Sequence, residues 1–491
     1  MVRHGRLSKG CQTCRKRKIK CDQALPGCSQ CRKAGWKCPQ YGDAVERMFL
    51  YQDTDQLKRQ PGPKSVKPPR APLTQAHPGE CDVVSFTSIP GRIQQSVNDR
   101  AIEYFLFSHA FRDDGGLRGF YEYLPTYGIS RTDPELLTTL TATALAAFGK
   151  RLGNSDVLRQ ARHYYGRSLR LVNHALQCPI KVRKDSTIIA ILLLNTFEGL
   201  MSDGRMSLAY SDGHMRGELM IMTLRGPKLL ATRQGMQVFL HMSRCLITYC
   251  TLRPARLPEE VIELRKHAAQ FMDTTSPAWV LEETMIKLAA FRADVNDGVF
   301  TDSEMFIAHA YQLDNELSAL SNDMPPEWSF KRHDLQLTEG CGTLAYCHVY
   351  PDLWVTYTWN YIRACRLFLH KEVANWLTSI GDNSPLFFRA LEFRRSSHTV
   401  QQLVLDICAS VPQYLGESST LTTDKDPSAN LVPGVAGAYF LIWPLLIAGD
   451  MTESATQRDW IIRQCRSISQ ITGIQRIAIV AESLERGECF L

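Results

Sequence analysis

The chain has 491 residues, with 57 Lys+Arg against 50 Asp+Glu for a formal net charge of +7, and 44% of its residues are hydrophobic. These proportions fit a soluble globular chain and exclude a wholly disordered, collagen-like or small disulfide-stapled molecule. The length exceeds what a single core absorbs, so a large domain and a smaller unit are expected. The opening MVRHGRLSKG has no apolar run, which argues against a cleaved secretory signal.

The charge is unevenly spread. Residues 1–70 hold 17 Lys+Arg and 5 Asp+Glu, a net +12, which leaves 40 against 45, or −5, for residues 71–491. A basic head on a mildly acidic body suggests that the head meets a polyanion. The cations lack the interleaved Leu, Phe and Trp of a membrane-surface helix, so no membrane partner is expected.

Six of the 16 cysteines lie in the head: Cys11, Cys14, Cys21, Cys28, Cys31 and Cys38. They form two copies of C-x2-C-x6-C joined by a six-residue loop, whereas the other ten are scattered without pattern. Clustered thiols in a chain without a secretion signal read as metal ligands before disulfides, and thiolate suits tetrahedral zinc. Six sulfurs serve two zinc ions with four ligands each only if two sulfurs bridge. The repeat makes the first cysteine of each half equivalent, which assigns Cys11 and Cys28 as bridges. Cys14 and Cys21 then complete one zinc, and Cys31 and Cys38 the other. Such a cluster carries a net charge of −2, which the nearby Lys and Arg compensate. Disulfides, or a single zinc with two spare thiols, are the competing arrangements.

Between Cys14 and Cys21 stand Arg15, Lys16, Arg17, Lys18 and Lys20, interrupted only by Ile19. On a helix these cations radiate in several directions, so some can hold phosphates while one or two reach base edges. Lys and Arg donating to guanine are the commonest specific major-groove contacts, which fits a G-containing site. A solvated charge run or a nuclear-import signal is the plainer alternative. Lys33 and Lys37 suit phosphate contacts, and Trp36 suits packing over the zinc module.

The run GCQTCRKRKIKCDQALPGCSQCRKAGWKCPQY resembles the DNA-binding module of the fungal binuclear zinc-cluster transcription factors, with Asp22 and Pro26 also agreeing. The resemblance implies two short helix-plus-extended units around two zincs, with the first helix in the major groove of double-stranded DNA. It further implies reading of CGG-type triplets, with Lys18 making the main base contact and Arg17 beside it.

From Gln60 to Arg92 there are seven prolines and three glycines, which reads as an extended, flexible linker within residues 46–95. Leu50 and Leu57 are one heptad apart, but no sustained a/d pattern surrounds them. A homodimer would therefore have to form through the body; otherwise the protein binds one triplet as a monomer.

The body, residues 96–491, reads as helical, giving an all-α class with a small zinc-cluster module ahead of a large helical regulatory domain. Thr132 and Asp133-Pro134-Glu135 open a helix through Leu145. Ser155 reads as the N-cap of a helix carrying Val157, Leu158, Ala161, Tyr165, Leu169, Val172 and Leu176. Asp185 precedes Ile188, Ile191, Leu192 and Leu194. Met215, Leu219 and Met222 form a further stripe, as do Met236, Phe239, Leu240 and Ile247. Segments 301–320, 343–377, 386–411 and 455–486 continue the pattern. The 14-residue apolar run Val435 to Ala448 contains Pro444; it is too short to span a bilayer and reads as a buried core helix.

The stretch HMRGELMIMTLRGPKLLATRQGMQVFLHMSRCLITYCTLRPARLP resembles the fungal-specific transcription factor regulatory region, on His214, Gly217, Arg225, Gly226, Gly235 and Arg244. From the residues alone, Arg225-Gly226-Pro227 is a helix stop. Arg244, among apolar neighbours, calls for a buried carboxylate, and the methionines of 215–242 read as core filler.

The metalloprotease, nucleophile-elbow, dinucleotide and phosphate-loop motifs are all missing, and Cys347-His348, taken as helical neighbours, would point about 100° apart. No catalytic residue is assigned, because a closed six-thiolate cluster leaves no open coordination position. The expectation is a nuclear, sequence-specific regulator of RNA polymerase II transcription that meets DNA and the transcription machinery or co-regulators. The rival is a zinc-dependent scaffold docking acidic partners without reading DNA.

Overall fold

A computed structural model describes residues 13–14, 17, 19–22, 28–36 and 38, and then 95–110, 120–125, 133–201, 212–335, 344–379, 386–415 and 435–487. They divide into two units, Met1–Gln94 and Gln95–Leu491. Cys11, Arg15, Lys16, Lys18, Pro26, Lys37 and the Pro-rich stretch lie outside the described residues, as does the side chain of His214.

In the first unit, helix α1 spans Ser29–Lys33. The second unit is built from α2 (Val97–His109), α3 (Pro134–Leu152), α4 (Ser155–Gln177), α5 (Asp185–Met201), α6 (Asp212–Arg225) and α7 (Arg233–Leu252). It continues with α8 (Glu259–Ala268), α9 (Pro277–Asn296), α10 (Ser303–Asn322), α11 (Leu353–Ser379), α12 (Leu386–Tyr414), α13 (Val435–Met451), α14 (Ala455–Thr472) and α15 (Gln475–Arg486). Among the described residues no helix is long and apolar enough to cross a membrane.

Helix α3 is the hub of its amino-terminal half, packing on α2, α4 and α5. Small residues permit that closeness: a Cβ on Gly149 would lie 2.8 Å from Leu158. Buried threonines on it return their hydroxyls to the carbonyl four residues back, as Thr139 does to Glu135 (2.7 Å) and Thr141 to Leu137 (2.8 Å). The helix runs to Leu152, seven residues past the expected end, and stops at Gly153 in the left-handed conformation. Helix α4 opens one residue earlier than expected: Asn154, not Ser155, is the cap, its side chain accepting from the Asp156 and Val157 amides. Helix α5 is buried on nearly every side from Ser186 to Asn195, as an all-apolar helix must be. In the other half α13, including Pro444, packs on α11, α12, α14 and α15.

Helix α6 ends at Arg225, and Gly226 turns the chain at φ +53° into a 3-10 turn ending at Ala231. Thr232 then caps α7 through the Gly235 amide at 3.0 Å. Gly235 is required there, because a Cβ would sit 2.0 Å from the Leu229 carbonyl oxygen. Met222, Met236 and Met242 are buried, but Met220 is 64% exposed and is no core filler.

The segment 343–377 is not one helix. Tyr346–Val349 forms strand β2, antiparallel to β1 (Lys331–Asp334), and α11 begins only at Leu353. Cys347 and His348 are therefore strand neighbours facing opposite ways, a different reason from the helical one for their not pairing.

The buried carboxylate expected for Arg244 is Glu282. Arg244 Nε donates to its Oε1 at 2.5 Å, and Arg265 donates to Oε2 at 2.8 Å. All three side chains are at most 5% exposed, and the triad ties α7, α8 and α9. Both guanidiniums also face indoles, Arg244 over Trp354 at 4.5 Å and Arg265 over Trp279 at 4.2 Å. Alongside, Tyr123 Oη meets His241 Nδ1 at 2.8 Å, and burial pushes the His241 imidazole down to about 3.

Candidate zinc centre and nucleic-acid interface

In the amino-terminal unit, cysteine sulfurs occupy the interior. Cys14, Cys28 and Cys31 are fully buried, with Cys21, Cys38 and Trp36 packed against them. The Sγ atoms of Cys14, Cys28 and Cys31 lie within 4.8 Å of one another, and Cys21 Sγ is within the same distance of Cys28 Sγ. Cys14 and Cys28 are 3.6 Å apart, and two thiolates sharing a tetrahedral zinc at ~2.3 Å stand about 3.8 Å apart. The donor set fits zinc. Cys28 Sγ therefore has the sulfurs of Cys14, Cys21 and Cys31 within 4.8 Å, and Cys14 and Cys31 are as close to each other.

Local backbone structure explains how the sulfurs converge. Cys28 is the N-cap of α1, and its sulfur accepts the Cys31 amide at 3.4 Å. The two half-repeats share a backbone frame offset by 17 residues. Arg17 N donates to Thr13 O (3.2 Å) and Ile19 N to Cys14 O (3.0 Å). In the second half Ala34 N donates to Gln30 O (3.2 Å) and Trp36 N to Cys31 O (2.8 Å). The same offset carries Cys11 onto Cys28, Cys14 onto Cys31 and Cys21 onto Cys38.

Two contacts were not foreseen from the residues. Asp22 accepts the Ser29 amide through both carboxylate oxygens (3.0 and 3.3 Å), capping α1 from seven residues away. No local capping pattern announces a partner at that separation. The Arg17 guanidinium lies 3.9 Å from the centroid of Trp36, joining the two halves by a cation–π contact. Arg17, expected beside Lys18 at the bases, makes this contact while remaining exposed, as are Lys20, Arg32 and Lys33.

Residues 9–47 match the fungal Zn(2)-Cys(6) binuclear cluster domain, and residues 126–250 match the fungal specific transcription factor domain. The chain carries the two domains of a fungal transcription factor. The first is a domain that binds two zinc ions; the second spans α3 to α7, with the Gly226 stop, the Gly235 turn and Arg244 inside it. Neither the curated proteins nor the solved structures yield a match to the chain.

One constellation in the helical unit has the composition of a hydrolytic triad. Ser396 Oγ is 2.9 Å from His370 Nδ1, and His370 Nε2 is 3.8 Å from Asp314. Asp314 gives both oxygens to Arg366 at 2.7 and 3.0 Å, so its carboxylate braces α10 against α11 rather than orienting the imidazole.

Proposed function

We propose that this transcription factor binds double-stranded DNA in the nucleus through its zinc module and reads CGG-type triplets in the major groove, regulating RNA polymerase II transcription. The supporting observation is the sulfur cage in which Cys28 neighbours ligands of both metals. In this reading Cys11 and Cys28 bridge, Cys14 and Cys21 complete one zinc, and Cys31 and Cys38 the other. The closed thiolate shell makes the zincs structural: they supply the folding energy of a segment with little hydrocarbon to bury. Residues 1–45 are then the reading head, 46–95 the tether and 96–491 the regulatory body, through which any homodimer or co-regulator contact is made.

Lys18 makes the main base contact, and Arg15, Lys16 and Lys20 hold phosphates. Arg17, stacked on Trp36, acts from the module's flank. Lys18→Ala is expected to abolish the preference for a CGG duplex over a scrambled one in a competition assay while leaving salt-sensitive residual binding. Equal discrimination by mutant and wild type overturns the base-reading role. Retained capture of acidic proteins with no duplex binding by the wild type favours the scaffold reading.

A further inference from the structure

Helix α4 carries a basic stripe that the zinc module does not account for. With about 100° between successive residues, Arg159, His163, Arg167, Arg170 and His174 fall within an arc of about 80°, and Arg162 flanks it. All six are exposed. The stripe is about 22 Å long at ~1.5 Å per residue. The opposite face of the helix is buried through Ala161, Ser168, Val172 and Ala175, so the stripe cannot turn inward.

Arg159 is paired with Asp156. Among the described residues no carboxylate lies within ion-pair distance of Arg162, Arg167 or Arg170, which is unusual on a body whose residues 96–491 carry a net charge of −4. On the neighbouring α5, Glu198 accepts from Tyr165 of α4 at 2.7 Å.

We infer that this face of α4 binds the phosphate backbone of duplex DNA, giving the regulatory body its own sequence-independent contact with the nucleic acid. The inference rests on the DNA-binding reading of the zinc module for its biological setting, but not for its chemistry. Charge complementarity favours a polyanion, and Arg forks match phosphate oxygens. No large exposed hydrophobic residue lies on α4, whereas protein partners are anchored by buried aromatic and aliphatic groups. Single strands need exposed stacking rings, and here Tyr165 is stacked on Phe197 at 4.3 Å while Tyr164 accepts from Asn98. Covalent attachment to a DNA-bound head makes the second contact intramolecular, so a weak site suffices.

The test uses the full chain and a triple variant, Arg162→Gln with Arg167→Gln and Arg170→Gln, all surface changes whose folding is checked by thermal melting. Binding to a CGG duplex and to a random-sequence duplex is measured from about 50 to about 200 mM salt. The expected result is a log K against log salt slope shallower by about 2 to 3, with the ratio between the two duplexes unchanged. An unchanged slope overturns the inference, including the case in which the variant instead loses binding to an acidic protein. The same comparison in a Lys18→Ala background separates the two readings. Discrimination in wild type that Lys18→Ala loses, with an arginine-dependent slope, supports both readings. No discrimination in wild type with an arginine-dependent slope supports the α4 contact alone; discrimination with an arginine-independent slope leaves the zinc-module reading and removes this one.

Discussion

A single sulfur concentrates the architecture of the amino-terminal unit. Cys28 caps α1, accepts an amide from Cys31 and lies within reach of three other thiols, and in the proposed reading it bridges both metals as well. Cys28→Ser is therefore expected to take the purified full chain from two zinc equivalents to fewer than one by elemental analysis. Cys38→Ser, which removes a terminal ligand, is expected to retain at least one. Two equivalents in Cys28→Ser refute the bridge. The clustering of Cys14, Cys21, Cys28, Cys31 and Cys38 was legible because metal coordination imposes spacing on sequence. The Asp22 cap and the Arg17–Trp36 stack were not, because each joins residues whose separation follows from the cage rather than from any local periodicity. Aligning the halves at their 17-residue offset exposes the asymmetry that produces the stack. Trp36 stands where the first half has Ile19, and Ala34 stands where it has Arg17.

Helices of the second unit were legible where one face is apolar, as in α4 and α7. Their ends were less so: Asn154 displaced Ser155 as the cap of α4, and α3 ran through Gly149 to a left-handed stop at Gly153. The β1–β2 hairpin escaped because its strands are four residues each, too short to show an alternating pattern. That Arg244 needs a carboxylate was readable from its apolar surroundings; that Glu282 answers it, shared with Arg265, required the packing of α7 on α9. Glu282→Gln leaves the buried Arg244 guanidinium facing a neutral amide, while Arg265 keeps Glu283 at 2.7 Å. It should destabilise the body by about 3–5 kcal/mol in urea unfolding, the cost of breaking a buried ion pair from one side. A loss under about 1 kcal/mol would show that the arginines find compensation elsewhere.

Across the helical unit, acid is the expected weakness. His109 and His241 are 3% and 5% exposed, and burial lowers both from 6.5 to about 3, with the Arg244 charge adding to the effect at His241. The unfolded chain binds these protons near pH 6.5 and the folded chain near 3, so stability is full above the higher value and falls as pH drops towards the lower. The slope is roughly 1 kcal/mol per pH unit for each histidine. Urea midpoints should fall between about pH 7 and about pH 5, and His241→Gln should flatten the decline. A midpoint independent of pH over that window contradicts neutral, buried imidazoles. The two units thus answer to different solutes. Where the helical body has hydrocarbon at its centre, the head has sulfur, with Trp36 as the one large ring against it among the described residues. A chelator or an oxidant that strips thiolates from metal is expected to abolish the head's order and leave the body's helices in place, whereas mild acid is expected to weaken the body through its histidines. Loss of metal and loss of helical packing are therefore expected as two separate transitions of the full chain.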